Sequence, residues 1–330
     1  MHPDLRMERL DPASPGDGLT ALHGIVTAQD PAGPVMSPRH FAARAGSGAA
    51  GERAETWVAW DGGEVVGGHI AHYPPGENGH LVILRLAVHP GRLREGIGTS
   101  LLDHAIGRVR ADGRRVIVAE AAADAPGSAF AKGRGFALAG TESRMVLDLT
   151  AADWSGLELL RARAARSARD YSLERWTGPA GPDLLDDMAW LMNGMNDEPM
   201  GDLKIEERRW NGDRIRAMEE STARTGLTTY TMVARHTATG EPAGFTQLLV
   251  DPCEGGGWAW QSSTSVLRPH RGRRLGLVIK LAAVTWFRAC EPSIERVVTW
   301  NSTANPHMLA INRALGYEVL DGWNLWQLEM

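Results

Sequence analysis

The chain has 330 residues, of which 43% are apolar and 23% charged, and a net charge of −5. That length exceeds a single core and suits two domains. The composition is that of an ordinary globular protein, and the negative balance argues against nucleic-acid binding by the surface as a whole. Two cysteines, Cys253 and Cys290, are too few for a disulfide scaffold and match no metal spacing, so reduced thiols are expected. No apolar run reaches the ~18 residues of a membrane span, and Met1–Pro15 lacks the apolar core of a signal peptide. A cytoplasmic protein is expected, binding neither membrane nor nucleic acid. Lysine occurs only at positions 132, 204 and 280, so the basic side chains are almost all guanidinium forks, which suit phosphate.

In chain order, residues 1–50 are rich in Gly, Pro and Ala, with one amphipathic helix expected over Leu19–Val26. Arg44–Glu55 reads as a surface loop or lid. Thr56–Trp60, the turn Asp61–Gly63 and Glu64–Tyr73 read as a hairpin. His80–Val88 is a third strand and ends at a basic turn. Ile97, Leu101, Leu102, Ala105, Ile106 and Val109 share one face of a helix over about Gly96–Ala111. Strand Arg115–Ala119, a short helix in Gly127–Lys132, the pair Gly135–Phe136 and a strand around Met145–Leu149 follow.

Residues 150–172 read as helix or linker, and then the order repeats. Leu184–Met195 is a helix, Asn196–Leu203 an acidic loop, and Glu206–Arg224 a charged amphipathic helix. Strands are expected over Thr229–Arg235, Ala243–Val250 and Trp258–Val266. A second basic turn leads into a helix from Leu277 to Phe287. Strand Arg296–Asn301, helix Asn305–Leu315, the pair Gly316–Tyr317 and a strand over Leu325–Leu328 complete the chain. Two copies of one order, roughly 170 residues each, mean domain duplication rather than a solenoid. The expected division is 1–150, a linker over 151–170, and 171–330.

The repeated strand, basic Gly-containing turn and helix carry the chemistry. Such a turn aims backbone N–H groups and a helix N-terminus at one spot, which suits a phosphate. The first copy runs from Val88 through Leu93 and Gly96 to Gly98, the second from Val266 through Arg271 and Arg274 to Gly276.

This pattern resembles the GCN5-related N-acetyltransferase (GNAT) superfamily. Its signature is Val, four residues, Arg or Gln, two residues, Gly, one residue, then Gly or Ala. Each copy departs once: Leu93 stands where Arg or Gln is usual, and Arg274 where the first Gly is usual. Arg274 is expected to be tolerated by supplying its N–H at negative φ. The Gly–aromatic pairs near the end of each half are a second family mark. The C-terminal half is similar to tandem-domain bacterial acetyltransferases through Asn196–Leu203 and Thr299–Asn301.

The resemblance implies two α/β domains, each a mixed, mostly antiparallel sheet flanked by helices. It implies acetyl-CoA as cofactor and an amine that attacks the thioester directly in a ternary complex. The cofactor residues implied are Val266, Arg271, Gly272, Arg273, Arg274, Leu275, Gly276, Leu277 and Asn305 in the second half, and Val88, Arg94, Gly96, Ile97, Gly98 and Thr99 in the first. The Tyr often found four residues before the Gly–aromatic pair is replaced by Ala131 and Asn312; Asn312 can hydrogen-bond but not act as an acid. For a base, Asp197, Glu198 and Asp202 are expected on the acceptor side, with Glu120 as the counterpart in the first half. Thr264 could orient a water, and Asn301 and Asn305 read equally well as caps of the last helix.

The function expected from the sequence is acetylation of a small-molecule amine, catalysed by the C-terminal half, in a monomer or homodimer. The alternatives are natural-product tailoring or antibiotic resistance, a protein or peptide acetylase, and a non-catalytic acyl-CoA-binding protein.

Overall fold

The computed structural model describes residues 5–11, 14, 16–48, 52–252 and 256–330. Cys253, one of the two expected free thiols, lies outside them, and Cys290 is a free, exposed cysteine. Packing divides the chain into two compact units. The first comprises Met1–Gly140, Asp202–Glu206 and Asn324–Met330; the second comprises Thr141–Gly201 and Glu207–Trp323. Each unit therefore contains residues from both halves of the sequence, whereas the expected divisions ran along the chain.

In the first unit, β1 (Arg6–Leu10), β2 (Arg53–Asp61), β3 (Glu64–Tyr73), β4 (Leu81–Val88) and β5 (Val116–Ala122) lie in that order, with the end of β12 (Glu318–Glu329) beyond β5. The β2–β3 hairpin turns on Gly62 and Gly63, both at positive φ (57° and 92°), as a two-residue loop demands. All pairings from β1 to β4 are antiparallel, and β4 runs parallel to β5. Period-2 alternation splits the buried residues between the two faces. Val58, Ile70 and Ala87 meet α1 (Asp17–Gln29) and α2 (Pro38–Gly46), whereas Ala71, Val82 and Leu84 meet α3 (Ile97–Ala111) and α4 (Pro126–Gly133).

The second unit repeats the plan. The start of β12 is followed by β6 (Ala137–Asp148), β11 (Arg296–Ser302), β10 (Trp258–Val266), β9 (Pro242–Val250), β8 (Thr228–His236) and β7 (Tyr171–Thr177). Again one pairing shown is parallel, β10 with β11, and the others are antiparallel. Val233 and Phe245 pack under α6 (Leu185–Asn193) and α7 (Gly212–Arg224). Leu248, Val250 and Val297 pack under α8 (Leu275–Cys290), which also meets α5 (Trp154–Ala165). The mixed, mostly antiparallel sheets flanked by helices are as expected, with nine α-helices among the described residues.

Three local expectations change. Part of the anticipated lid, Arg44–Gly46, is the end of α2, whose start is capped by Ser37 accepting from His40 N–H at 3.1 Å, with Pro38 at the first turn. The charged helix starts at Gly212 rather than Glu206, because Asn211 caps it by accepting from Arg214 N–H at 2.9 Å. The edge strands β1 and β7 also escape the sequence reading. No helix among the described residues is long and apolar enough to cross a membrane.

Candidate functional site

The two basic turns have the same backbone. After Val88, a 3-10 turn (Pro90–Arg92) leads to extended Leu93, Arg94 at φ 72°, and Gly96 at φ 85° capping α3. After Val266, a 3-10 turn (Arg268–His270) leads to extended Arg271, Gly272 at φ 79°, and Arg274 at φ 58° capping α8. Counted from the Val, the two left-handed positions coincide. The first turn fills them with Arg then Gly, the second with Gly then Arg. Arg94 and Arg274 are the non-glycine residues at positive φ among the described residues. The expectation of negative φ at Arg274 is thus corrected: the turn keeps its shape, and the side chain accepts a conformation that costs about 1–2 kcal/mol.

Neither Gly96 nor Arg274 caps its helix with a side chain. The first backbone groups to bond back into the helices are Ser100 N–H, to Gly96 O, and Val278 N–H, to Arg274 O. The N–H groups of Ile97, Gly98 and Thr99, and of Leu275, Gly276 and Leu277, therefore face out of the helix starts and suit an anion. A Cβ at Gly276 would lie 3.2 Å from Ile311 Cδ1 and 3.6 Å from the Val266 side chain, so helix and strand approach closely here. Two further glycines went unread in the sequence. Gly67 pairs with Val88 and Gly244 with Val266. A Cβ would sit 2.6 Å from Ala87 O at the first and 2.8 Å from Ser265 O at the second. Their equal placement opposite the two Val residues was the available signal.

Beside each turn the sheet opens. β4 pairs with β5 from Leu81 to Ile83, yet both strands run on; β10 pairs with β11 from Trp258 to Trp260, and both again run on. The strands carrying the turns differ, however. β4 keeps a regular register with β3 from Val88 to Ile83. β10 shifts register against β9 between Gln261 and Thr264, a bulge that takes backbone at Ser262 and Ser263 out of the ladder. Polar side chains support it. Gln261 Nε2 donates to Thr246 Oγ1 at 2.9 Å and to Gln247 O at 2.7 Å, and Thr264 Oγ1 shares a hydrogen bond with Thr246 Oγ1 at 2.7 Å. Gln261 Oε1 is buried without a partner among the described residues.

The acidic loop is divided between the units. Asp202 belongs to the first, where its N–H donates to Ala139 O at 2.7 Å. Gly194–Asp197 is a 3-10 turn in the second, packed so close to β10 that a Cβ on Gly194 would meet Ser265 Oγ at 3.0 Å. Asp197 Oδ2 accepts from Arg268 Nε at 2.9 Å and from Arg271 Nη2 at 2.7 Å, and Arg271 Nε donates to Val266 O at 2.8 Å. The guanidinium of Arg268, then that of Arg271, holds the Asp197 carboxyl below the usual range. Burial pushes its neighbour Glu198 the other way.

Asn312 is buried, and both ends of its amide are engaged. Its Oδ1 accepts from Lys280 Nζ at 2.6 Å, and its Nδ2 donates to Asn301 Oδ1 at 2.5 Å. Lys280 is itself 1% exposed, and burial lowers its pKa to about 7. No sequence reading singled it out; a lysine within the apolar run of α8 was the signal. Tyr317 packs in the core, its buried hydroxyl without a partner among the described residues. Asn305 caps α9 (Pro306–Ala314), accepting from Met308 N–H at 3.1 Å. In the first unit Glu120 lies 3.8 Å from Arg85. Arg273 lies 3.9 Å from Asp170. No cluster of potential metal ligands occurs among the described residues.

Residues 24–136 match the model of the Acetyltransferase (GNAT) family. A tandem GNAT protein from the clavulanic acid biosynthesis pathway superposes with a TM-score of 0.81 at 25% identity, covering 99% of this chain and 98% of that one. A GCN5-related N-acetyltransferase from Sphaerobacter thermophilus (TM-score 0.64, 17% identity, 98% and 95% coverage) shares the fold. So does a putative acetyltransferase from Pyrococcus horikoshii (0.60, 13%, 99% and 90%). No curated protein matches the chain.

Proposed function

We infer that this chain, which belongs to the acetyltransferase (GNAT) family and carries two such domains in tandem, acetylates the amine of a small molecule at its second unit. The observation that carries the choice of unit is the bulge in β10, absent from β4. A bulge frees a backbone N–H from the ladder beside the opened strands, where it can stabilise charge on an acyl oxygen. The donor's chemistry is that of an acyl thioester, an electrophilic carbonyl on a sulfur leaving group. The residues present fit a pyrophosphate. The N–H groups of Leu275, Gly276 and Leu277 would hold it, and the Arg271, Arg273 and Arg274 guanidiniums would neutralise it.

Glu198 is the base in this reading. It follows the turn Gly194–Asp197 packed beside β10, and burial raises its pKa above the usual carboxylate range, which makes it a stronger proton acceptor than an exposed carboxylate. Asp197, held ionised by two guanidiniums, instead ties the acceptor loop to the donor turn. Likeness along nearly the full length to a tandem protein of the clavulanic acid pathway supports a small acceptor.

Thiol release from acetyl-CoA across a panel of small amines tests the reading. Turnover is expected with at least one amine, and Glu198→Gln should lower kcat by about 10²–10⁴-fold with little change in the KM for acetyl-CoA. Donor binding without turnover on any amine would make the chain a non-catalytic acyl-CoA binder; turnover confined to peptides would overturn the acceptor class.

A further inference from the structure

The second unit holds a cavity of about 240 Å³ between α5, β7 and α8, apart from the opened strands and the acceptor loop. α8 turns Leu275, Val278 and Ala282 toward it, spaced i, i+3 and i+7. That stripe lies across the helix from Gly276 and Lys280, which face Ile311 and Asn312 of α9. The cavity is therefore on the side of α8 away from α9. Opposite the stripe, α5 ends at Ala165, and the turn after it carries Ala168. Three of these facing positions are alanine, and larger side chains there would close the gap between the helices. Tyr171 and Leu173 share one face of the edge strand β7 and wall the third side.

The lining contains two cations and no anion. Arg161 is neutralised by Glu158, its Nε donating to Oε2 at 2.9 Å and its Nη2 to Oε1 at 2.5 Å. Arg169 has no such partner: among the described residues its guanidinium makes no ion pair, hydrogen bond or ring contact. The next acid in the chain, Asp170, faces Arg273 at 3.9 Å instead. Tyr171 commits its hydroxyl to His270 Nδ1 at 2.9 Å, and its ring meets those of His236 and His270 edge-on, with centroids 5.5 and 5.6 Å away. It is a fixed, largely apolar wall. In a chain of net charge −5, this is an apolar cavity with one uncompensated positive charge at its rim.

We propose that this cavity binds a monocarboxylic acid whose body is a single aromatic ring, with the ring among the alanines, Leu275 and Val278 and the carboxylate on Arg169. An apolar cavity of about 150 Å³ holds one benzene molecule, so 240 Å³ takes one ring and a short acidic arm. The volume falls below the roughly 300–1,000 Å³ of pockets for drug-sized ligands, which excludes a whole nucleotide. One uncompensated guanidinium matches one carboxylate, in charge and in the geometry of its fork. A phosphate dianion would leave charge unmatched, and an amine would meet only repulsion.

Isothermal titration of the full chain with benzoate, phenylacetate and 3-phenylpropionate, each beside its carboxamide, tests this. At least one acid should bind with a Kd of about 1 mM or tighter, and its carboxamide about tenfold more weakly. Arg169 and Ala165 are exposed, so both tolerate substitution. Arg169→Gln should weaken the acid about fivefold and leave the carboxamide unchanged, as suits a solvent-facing ion pair. Ala165→Trp, which fills the space, should abolish binding of both. Neither residue belongs to the transferase machinery and turnover is not measured, so the outcome stands apart from that reading. Excess acetyl-CoA should leave the acid bound; its displacement would place the acid at the donor turn and overturn the proposal. So would equal binding of acid and carboxamide, affinity untouched by both substitutions, or absence of binding by all three acids to chain whose cooperative melting shows it folded.

Discussion

The strand–turn–helix of the first unit, Val88 into α3, and that of the second, Val266 into α8, share a backbone but not their surroundings. What the two share is main-chain geometry: two left-handed residues, an uncapped helix start, and a glycine opposite the Val. Such geometry tolerates exchange of side chains, and Arg and Gly swap places between the copies. What differs between them is written in side chains. The first unit has Arg85 beside Glu120 and a strand of regular register; the second has a bulged strand and Asp197 clamped by two arginines. The two copies share the backbone of the turn, and the side chains around it differ.

The largest effect expected separates the copies at the helix starts. Gly276→Glu and Gly98→Glu each put a carboxylate beside outward N–H groups, competing with a donor phosphate. A Cβ at Gly276 is also tighter, 3.2 Å from Ile311, against 3.5 Å from Phe130 at Gly98. Turnover should fall more than about 100-fold in Gly276→Glu and change little in Gly98→Glu, the loss of a charge-assisted anion site being worth at least a few kcal/mol. The reverse ranking, in chains with matching melting curves, would move catalysis to the first unit.

A second contrast lies beneath the turns. Counted from the shared glycines, Lys280 and Asn312 stand where the first unit has Leu102 and Ala131, both buried and apolar. The unfolded chain keeps the lysine proton up to its ordinary value of 10.5, whereas the folded chain releases it above about 7. The unfolded state therefore binds more protons between those values, and the wild type should gain stability as pH rises through that window. Lys280→Leu removes this slope. Denaturant midpoints should show the variant losing about 2 kcal/mol relative to wild type between pH 7 and pH 9. A pH-independent difference would mean that Asn312 holds the amine charged.

The clamp gives a smaller effect. Asp197→Asn frees Arg268 and Arg271 and removes a negative charge beside the donor turn. Acetyl-CoA affinity should rise several-fold at low salt and less at high salt, as screening predicts. Unchanged affinity at both salts would leave Arg271 outside the donor site.

Much of the fold was legible because it rests on local signals. Hairpin glycines, period-2 strands and the amphipathic faces of α3 and α8 are each written within a dozen residues or so. What escaped depends on partners distant in sequence. The bulge at Ser262–Ser263 exists only against β9. The Lys280–Asn312–Asn301 chain joins two helices and a strand. The split of the acidic loop, with Asp197 in one unit and Asp202 in the other, follows from packing alone. Arg44 in a Gly- and Ala-rich stretch read as loop, although Ser37–Pro38 is a helix start. The candidate site was legible where it is backbone and obscure where it is side chain.

The finest test concerns the swapped residues themselves. Arg94 (φ 72°) and Arg274 (φ 58°) each hold a left-handed conformation that glycine adopts freely. Arg94→Gly and Arg274→Gly relieve that cost but enlarge the freedom of the unfolded chain, so each should stabilise by no more than about 1 kcal/mol. If the two turns are equivalent frames, the gains should agree within error. If Arg274 also serves the donor through its charge, Arg274→Gly should stabilise the chain while weakening acetyl-CoA binding, and Arg94→Gly should stabilise it with no such loss. Melting with and without acetyl-CoA reads both effects: a smaller donor-induced rise in Tm for Arg274→Gly alone assigns the charge to the second turn, and equal rises would reduce both arginines to tolerated substitutions in a backbone that does the binding.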